Sequence, residues 1–238
     1  MPLCNNYSLQ SFLQKGNGQA FKGSQPLTFT KRQIDIIKNR DVSYSINTKT
    51  DGERFFLYID SKGYMHKVEK KLNKIELYSQ SQSYANTLLD GEIVQIKGKG
   101  SQKRDLFIAY DIMFEKGVCL LDLNYKERFL ILAKVVKAIR SDMPPSLKIQ
   151  LQDTIHNADA YMHGQKLLSK SRKYKTDGLI FYPNTPYIIG VNTNTKYPLL
   201  KWKPYHENTI DFLMKVDQHK DGMVKCKLLG RNSRPYKH

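Results

Sequence analysis

Apolar and polar positions along this chain alternate mostly with a period of two, and only a few stretches keep a helical period. Residues 42–47 alternate as a strand, and Phe55-Phe56-Leu57-Tyr58-Ile59 is an aromatic and β-branched run of the same kind. Ser61-Lys62-Gly63 reads as a turn, after which residues 64–68 and 74–78 form a polar, edge-type hairpin. Residues 88–96 read as a turn followed by a strand, and 106–114 as a near-continuous apolar strand buried on both faces. Further strands are expected at 179–183, 199–203, 209–216 and 223–229.

Helix signals are fewer. A short helix is expected over 8–15, ending at Gly16. Thr30 and Gln33 have capping-box spacing ahead of Ile34, Ile36 and Ile37, which predicts a helix to about residue 39. Asn124 and Glu127 repeat that spacing before a helix to about residue 140, with Leu130, Ala133, Val136 and Ile139 on one face. Pro144-Pro145 breaks the chain, and residues 153–169 carry a helical pattern interrupted by Gly164. Residues 23–26, 97–104 and 184–197 read as loops. Helices that interrupt strands without alternating with them predict an α+β fold, not a doubly wound parallel sheet.

Composition narrows the function classes. A chain of 238 residues with 40% hydrophobic content, 15 tyrosines and 10 phenylalanines is globular. No apolar run approaches the roughly 18 residues of a membrane span, so no membrane role is expected. A formal charge of +17 points to polyanionic partners, nucleic acid or nucleotides. Cys4, Cys119 and Cys226 are odd in number and widely spaced, so the reading is no disulfide framework, no zinc site, and a reducing intracellular compartment.

Candidate chemistry centres on Lys49-Thr50-Asp51-Gly52-Glu53-Arg54. Asp-Gly is a turn signal, which would place Lys49 at the mouth of a strand-turn-strand unit. A desolvated lysine near other cations is a good nucleophile. Asp51, Glu92 and Asp177 each stand where an acidic turn would open a strand, and such carboxylates suit a metal-bound phosphate site. Lys201 and Lys203 flank Trp202 with strand spacing, which would set both ammonium groups on one face and Trp202 toward the core. Two such cations can stabilise a transferring phosphoryl group.

In order along the chain stand Gly23-Ser24-Gln25-Pro26, Lys49–Arg54, Leu88–Val94, Phe107–Phe114, Asp177–Phe181, Leu199–Pro204 and Asn208–Phe212. This series resembles the guanylyltransferase of mRNA capping enzymes, which belongs with the polynucleotide ligases among the covalent nucleotidyltransferases. The resemblance runs from about Phe21 to Phe212. It implies a ligase-like, ATP-grasp-related nucleotidyltransferase domain over residues 1–205, with antiparallel sheets around a nucleotide cleft. Residues 206–238 would then begin an OB-fold that 34 residues after Pro204 are too few to complete, as in a fragment or a chain completed by a partner.

By position, the resemblance makes Lys49 the nucleophile that attacks the α-phosphate of GTP and forms a lysyl-N-GMP adduct. Arg54 would contact the ribose, with Thr48 beside the nucleotide, and Tyr64 would stack on guanine. Glu92 and Asp177 would hold Mg²⁺ or Mn²⁺, and Lys201 and Lys203 would contact the α-phosphate. Lys-Thr-Asp-Gly occurs a second time at Lys175, which lacks an arginine in the place of Arg54; Lys175 is assigned to a solvent- or phosphate-binding surface. The acceptor would be the 5′-diphosphate end of RNA. RNA triphosphatase and cap methyltransferase domains or subunits are the implied partners, in the nucleus of a cell or the cytoplasm of a cell infected by a large DNA virus. The alternatives are an ATP-dependent RNA or DNA ligase with the same lysine chemistry, and a degenerate RNA-binding module. The basic stretches 97–104, 166–175 and 230–238 do not separate them.

Overall fold

A computed structural model describes residues 2–14, 22–38, 41–97, 103–157, 159–191, 193–207, 212–218 and 224–230. In chain order the elements are α1 (Leu9–Leu13), β1 (Leu27–Thr28), α2 (Ile34–Lys38), β2 (Tyr44–Thr50), β3 (Glu53–Ile59), β4 (Tyr64–Val68), β5 (Lys74–Gln80) and β6 (Thr87–Lys97). They continue with β7 (Lys103–Glu115), β8 (Val118–Cys119), α3 (Tyr125–Ile139), β9 (Leu147–Leu151), β10 (Thr154–Ile155), α4 (Ala160–Ser169), β11 (Thr176–Pro183) and β12 (Leu200–Trp202). These fall in one compact unit, Met1–Trp202. A second unit, Lys203–His238, contains β13 (Phe212–Gln218) antiparallel to β14 (Val224–Gly230).

The first unit is built on two sheets. One has the order β1-β12-β11-β2-β10; the other runs β5-β4-β3-β6-β7-β8, with β9 parallel to β7. Apart from β1–β12 and β7–β9, all pairings are antiparallel, as the α+β reading requires. The main core lies between β3, β6 and β7, helix α3, and the inner face of the other sheet at Tyr182. Tyr125 and Tyr182 stack there with ring centroids 4.2 Å apart. A separate cluster, Tyr44, Ile46, Leu167, Leu179, Phe181 and Leu200, covers the outer face of the five-stranded sheet beneath α4.

Several expectations need correction. Asp51-Gly52 does not close a hairpin: β2 pairs with β10 and β11, β3 pairs with β4 and β6, and the chain passes from one sheet to the other at this dipeptide. Gly52 is needed there because a Cβ would lie 2.5 Å from the Ile93 carbonyl oxygen and 2.8 Å from Val94 Cγ1. Asp90-Gly91 is likewise no turn but the middle of β6, at a register shift against β7. A Cβ on Gly91 would meet the Phe107 ring at 2.4 Å, so glycine here serves strand packing. Residues 153–157 are not helical, because Thr154 and Ile155 pair with Asn47 and Ile46 before α4 begins. On α3 the buried face is Tyr125, Arg128, Phe129, Leu132, Val135, Val136 and Ile139, while Leu130 is exposed. Strand β12 ends at Trp202, so the expected alternation does not reach Lys203, which opens the second unit.

The reading of 106–114 as purely apolar also missed a charge. Asp111 in β7 is buried and receives two hydrogen bonds from the equally buried Arg128, at 2.8 and 2.9 Å. The cysteine reading is overturned too: Cys4 and Cys119 form a disulfide with Cα atoms 5.6 Å apart. The Asp122 carboxylate accepts from the Leu3 and Cys4 N–H groups, fastening the N-terminal segment beside β8. A pairing across 115 residues leaves no spacing signal, and the cysteine count no longer argues for a reducing compartment. Residues 15–16, 39, 98–102, 208–211 and 223, on which parts of the expected helices, loop and tail strands fall, lie outside the described residues.

Candidate active site

Lys49 is the sixth residue of β2, within the strand and not on a turn. Opposite it on β11 stands Gly178, and a bulge between Thr176 and Gly178 displaces the intervening Asp177. The consequence is an exchange between the two Lys-Thr-Asp-Gly copies, which lie on paired strands with Thr50 opposite Thr176. Asp177 of the second copy receives the Lys49 ammonium of the first at 2.9 Å, and Asp51 of the first holds Lys175 of the second at 3.2 Å. The surroundings differ sharply. The Lys49 and Asp177 side chains are 22% and 6% exposed, whereas Lys175 and Asp51 are 65% and 47% exposed. The Lys49–Asp177 pair faces the interior between the sheets and the Lys175–Asp51 pair faces solvent.

Lys49 opens onto a cleft with about 470 Å³ of empty space, whose lining includes Asn47, Thr48, Arg54, Glu92, Tyr110 and Gln152. The walls come from both sheets: Asn47 to Thr50 from β2, and Arg54 opposite Glu92 on the β3–β6 ladder. Gln152, after β9, donates from Nε2 to the Thr48 carbonyl at 2.8 Å and to the Thr48 hydroxyl at 2.5 Å. That fixes the backbone one residue before Lys49. The Lys201 side chain shares this face of the sheet, because Lys201 is registered with Ile180 and Ile180 with Asn47, two residues before Lys49.

Arg54 is held on three sides. Its Nε and Nη2 donate to the two oxygens of Asp90, and Nη1 donates to the Ser24 carbonyl at 2.5 Å. The Tyr110 hydroxyl donates to Asp90 at 2.9 Å. Burial works against the Arg54 charge, but Asp90 outweighs it and the guanidinium stays firmly protonated. Loop 23–26 is thereby tied to the cleft wall through Ser24.

Glu92 is different. Burial pushes its carboxyl up to about 7, against the pull of Lys49 and Arg54 and helped by the nearby charges of Asp90 and Asp177. Its Oε2 is buried without a hydrogen-bond partner, as is Asn47 Oδ1 on the other wall of the cleft. Buried polar atoms are nearly always satisfied, so two orphans in one cleft leave hydrogen-bonding capacity open toward its interior. Among the described residues no cluster of three or more His, Cys, Asp or Glu is present. Two carboxylates are nevertheless what a hard cation takes from a protein when substrate phosphates supply further ligands.

Of the sequence candidates, the structure brings Thr48, Lys49, Arg54, Glu92 and Asp177 together, with Lys201 on the same face. Glu92 lies in the middle of β6, not at a strand mouth, whereas Asp177 is the second residue of β11 and stands at its start as expected. Tyr64, at the start of β4, is 41% exposed and does not line the cleft; its N–H donates to Asp60 at 2.9 Å. Lys175 faces outward against Asp51, and Lys203 is described with the second unit. Asn47, Asp90, Tyr110 and Gln152 were not anticipated. Asp90 had a signal, a carboxylate in an otherwise apolar strand next to Arg54's strand; Gln152 had none.

A cleft between two antiparallel sheets, with a lysine on one and carboxylates from both, defines the covalent nucleotidyltransferase fold. Solved structures agree: the ligase domain of Mycobacterium tuberculosis DNA ligase D matches with a TM-score of 0.52 at 16% identity, over 82% of this chain and 64% of that one. Chlorella virus DNA ligase-adenylate matches with a TM-score of 0.51 at 14% identity, over 86% and 83%. Within this class the chain belongs to the family described as mRNA capping enzyme, catalytic domain, which it matches over residues 4–205. The mRNA-capping enzyme subunit alpha of Schizosaccharomyces pombe is 28% identical over 225 residues, 83% of this chain and 54% of that protein. The Caenorhabditis elegans mRNA-capping enzyme is 28% identical over an alignment of 250 positions, gaps included, that covers 93% of this chain and 39% of that protein. The chain thus spans about half or less of these relatives.

Proposed function

We propose that this domain is an mRNA guanylyltransferase, passing GMP from GTP through a lysyl-N-GMP adduct on Lys49 to the 5′-diphosphate end of RNA. The observation that carries the reading is the contrast between the two Lys-Thr-Asp-Gly copies: only Lys49 is largely withdrawn from water, beside a cleft with orphaned polar atoms. Desolvation is what makes a lysine amine available as a nucleophile.

The unpartnered Glu92 Oε2 beside Asp177 and Lys49 fits a divalent cation. Glu92 and Asp177 would hold such an ion, which would supply positive charge against the phosphate oxygens that would otherwise repel these carboxylates. Asp177 orients the Lys49 Nζ toward the cleft, and the ammonium releases one proton to solvent before attack and a second as the P–N bond forms. The Nζ lone pair then forms a bond to the α-phosphorus as the bond to the β-phosphate oxygen breaks and pyrophosphate leaves. Lys201 faces the same space and is placed to stabilise the charge on the phosphoryl oxygens. In the second step a terminal oxygen of the RNA diphosphate attacks the same phosphorus, the P–N bond breaks, and Lys49 takes back a proton. Arg54, fixed by Asp90, supplies an immobile positive wall. An RNA triphosphatase to make the diphosphate end and a cap methyltransferase to consume the product are the partner activities this reading calls for.

The test is to incubate the protein with α-labelled GTP and Mg²⁺ and resolve it on a denaturing gel. A covalent label that disappears in Lys49→Ala and is chased onto diphosphate-ended RNA supports the reading. A label formed with ATP and not with GTP would assign the domain to strand joining.

A further inference from the structure

A second concavity, separate from the cleft, lies between the end of α3, β9 and the chain just before β11, with about 1460 Å³ of empty space. Its lining is strongly cationic. Arg140, Lys148, Lys170, Arg172 and Lys173 face it, against the single carboxylate of Asp153. Both Asp153 oxygens are already engaged, by Lys170 at 2.8 Å and by Arg172 Nε at 3.1 Å.

Arg172 is the built part of the groove. Its side chain is only 5% exposed, and Nη1 donates to the carbonyls of Leu167 at 2.7 Å and Lys170 at 2.8 Å. The guanidinium is thus locked in one orientation, with the Tyr174 hydroxyl as its neighbour. A fixed arginine, a phenol beside it and three lysines make a site for anionic oxygens. Lys148 and Lys173 are exposed, so the groove also offers charges that a flexible polyanion can reach.

The groove is joined to the cleft by two short connections. Gln152 braces Thr48 in the cleft while the next residue, Asp153, lines the groove. Tyr174 lines the groove while the carbonyl of the next residue, Lys175, accepts from the Asp51 N–H at 3.0 Å, two residues from Lys49. We infer that this groove binds the phosphodiester backbone of single-stranded RNA downstream of the 5′ end whose terminal phosphate reacts at Lys49. The inference rests on the capping reading for the identity of that end. Repeated negative charge running away from a reacting terminus matches a cationic groove whose lining residues Asp153 and Tyr174 adjoin, along the chain, the residues that brace the Lys49 segment. Apolar Leu106, Pro144 and Pro145 in the same lining give sugars and bases a surface to lie on.

The test is fluorescence anisotropy with a short 5′-diphosphate RNA labelled at its 3′ end, measured across a salt series. The double variant Lys148→Ala/Lys173→Ala should bind about tenfold more weakly, with a salt slope shallower by about 1.4, since each lost phosphate contact removes about 0.7 for a single strand. Its labelling with GTP, which needs no RNA, should be unchanged. A control, Lys31→Ala/Arg32→Ala, removes the same charge from an exposed turn outside the groove and should leave affinity within about twofold. Unchanged RNA affinity in the groove variant overturns the inference, as does an equal loss in the control. So does selective loss of binding to a serine-phosphorylated peptide. Absence of any GMP label in the wild type would refute the capping reading instead, and the anisotropy would still report whether RNA binds here.

Discussion

Lys49 and Lys175 begin the same tetrapeptide, and what separates them is the water around them. Lys49→Ala should therefore remove the covalent GMP label while Lys175→Ala keeps most of it, as read by gel labelling under single-turnover conditions. Arg54 carries a second residue-scale prediction. Its charge is 11% exposed and matched by Asp90, which is 1% exposed. Removing one partner of such a pair leaves the other charge buried and costs about 3–5 kcal/mol, so Asp90→Ala should lower unfolding stability by that order in a denaturant titration. His156 supplies the pH dependence. Burial first, and the charge of Lys126 second, hold its imidazole below the ordinary 6.5, with Nδ1 2.8 Å from the Ser45 hydroxyl. Below 6.5 the unfolded chain takes up a proton that the native state resists, so this contribution is present above 6.5 and declines on acidification. Wild type should lose more stability than His156→Gln as the pH is lowered from 7 through this range. Parallel losses in the two proteins would contradict the assignment.

At the scale of elements, most strands were legible because their period-two alternation is local. Helix α3 was legible because Asn124 and Glu127 announce its start. What the sequence could not show is which strands pair. Asp51-Gly52 has hairpin chemistry, yet the chain changes sheets there, and this change sets Lys49 and Arg54 on opposite walls of one cleft. Asp90-Gly91 misled for a related reason. Glycine was read as freedom to turn when its role is to leave room for Phe107. Gly91→Ala would press a methyl group against that ring and against the Ile108 carbonyl oxygen at 2.5 Å. Overpacking of this kind costs about 1–3 kcal/mol, measurable as a lower denaturation midpoint. Gly117, whose added Cβ would sit 3.9 Å from Asn86 and whose φ is +84°, is strained for a different reason and is not a matched control. The parallel strand β9 and the β10 pairing were illegible, since contacts between distant segments leave no mark on either sequence.

For the whole molecule, the order of motifs along the chain carried the family where single motifs did not. Lys49, Glu92 and Asp177 are separated by scores of residues and meet because two sheets face each other across the cleft. The Cys4–Cys119 bridge and the Arg128–Asp111 pair are of the same long-range kind and were missed, because no motif contains them. The account as a whole stands on one claim, that this fold makes Lys49 a covalent carrier of GMP. The most direct measurement is mass spectrometry of the protein after incubation with GTP or ATP and a divalent cation, with peptide mapping of any adduct. The account predicts a GMP phosphoramide on Lys49 from GTP and no adduct on Lys175. AMP on Lys49 in place of GMP, GMP on any other lysine, or no adduct with either nucleotide would contradict it.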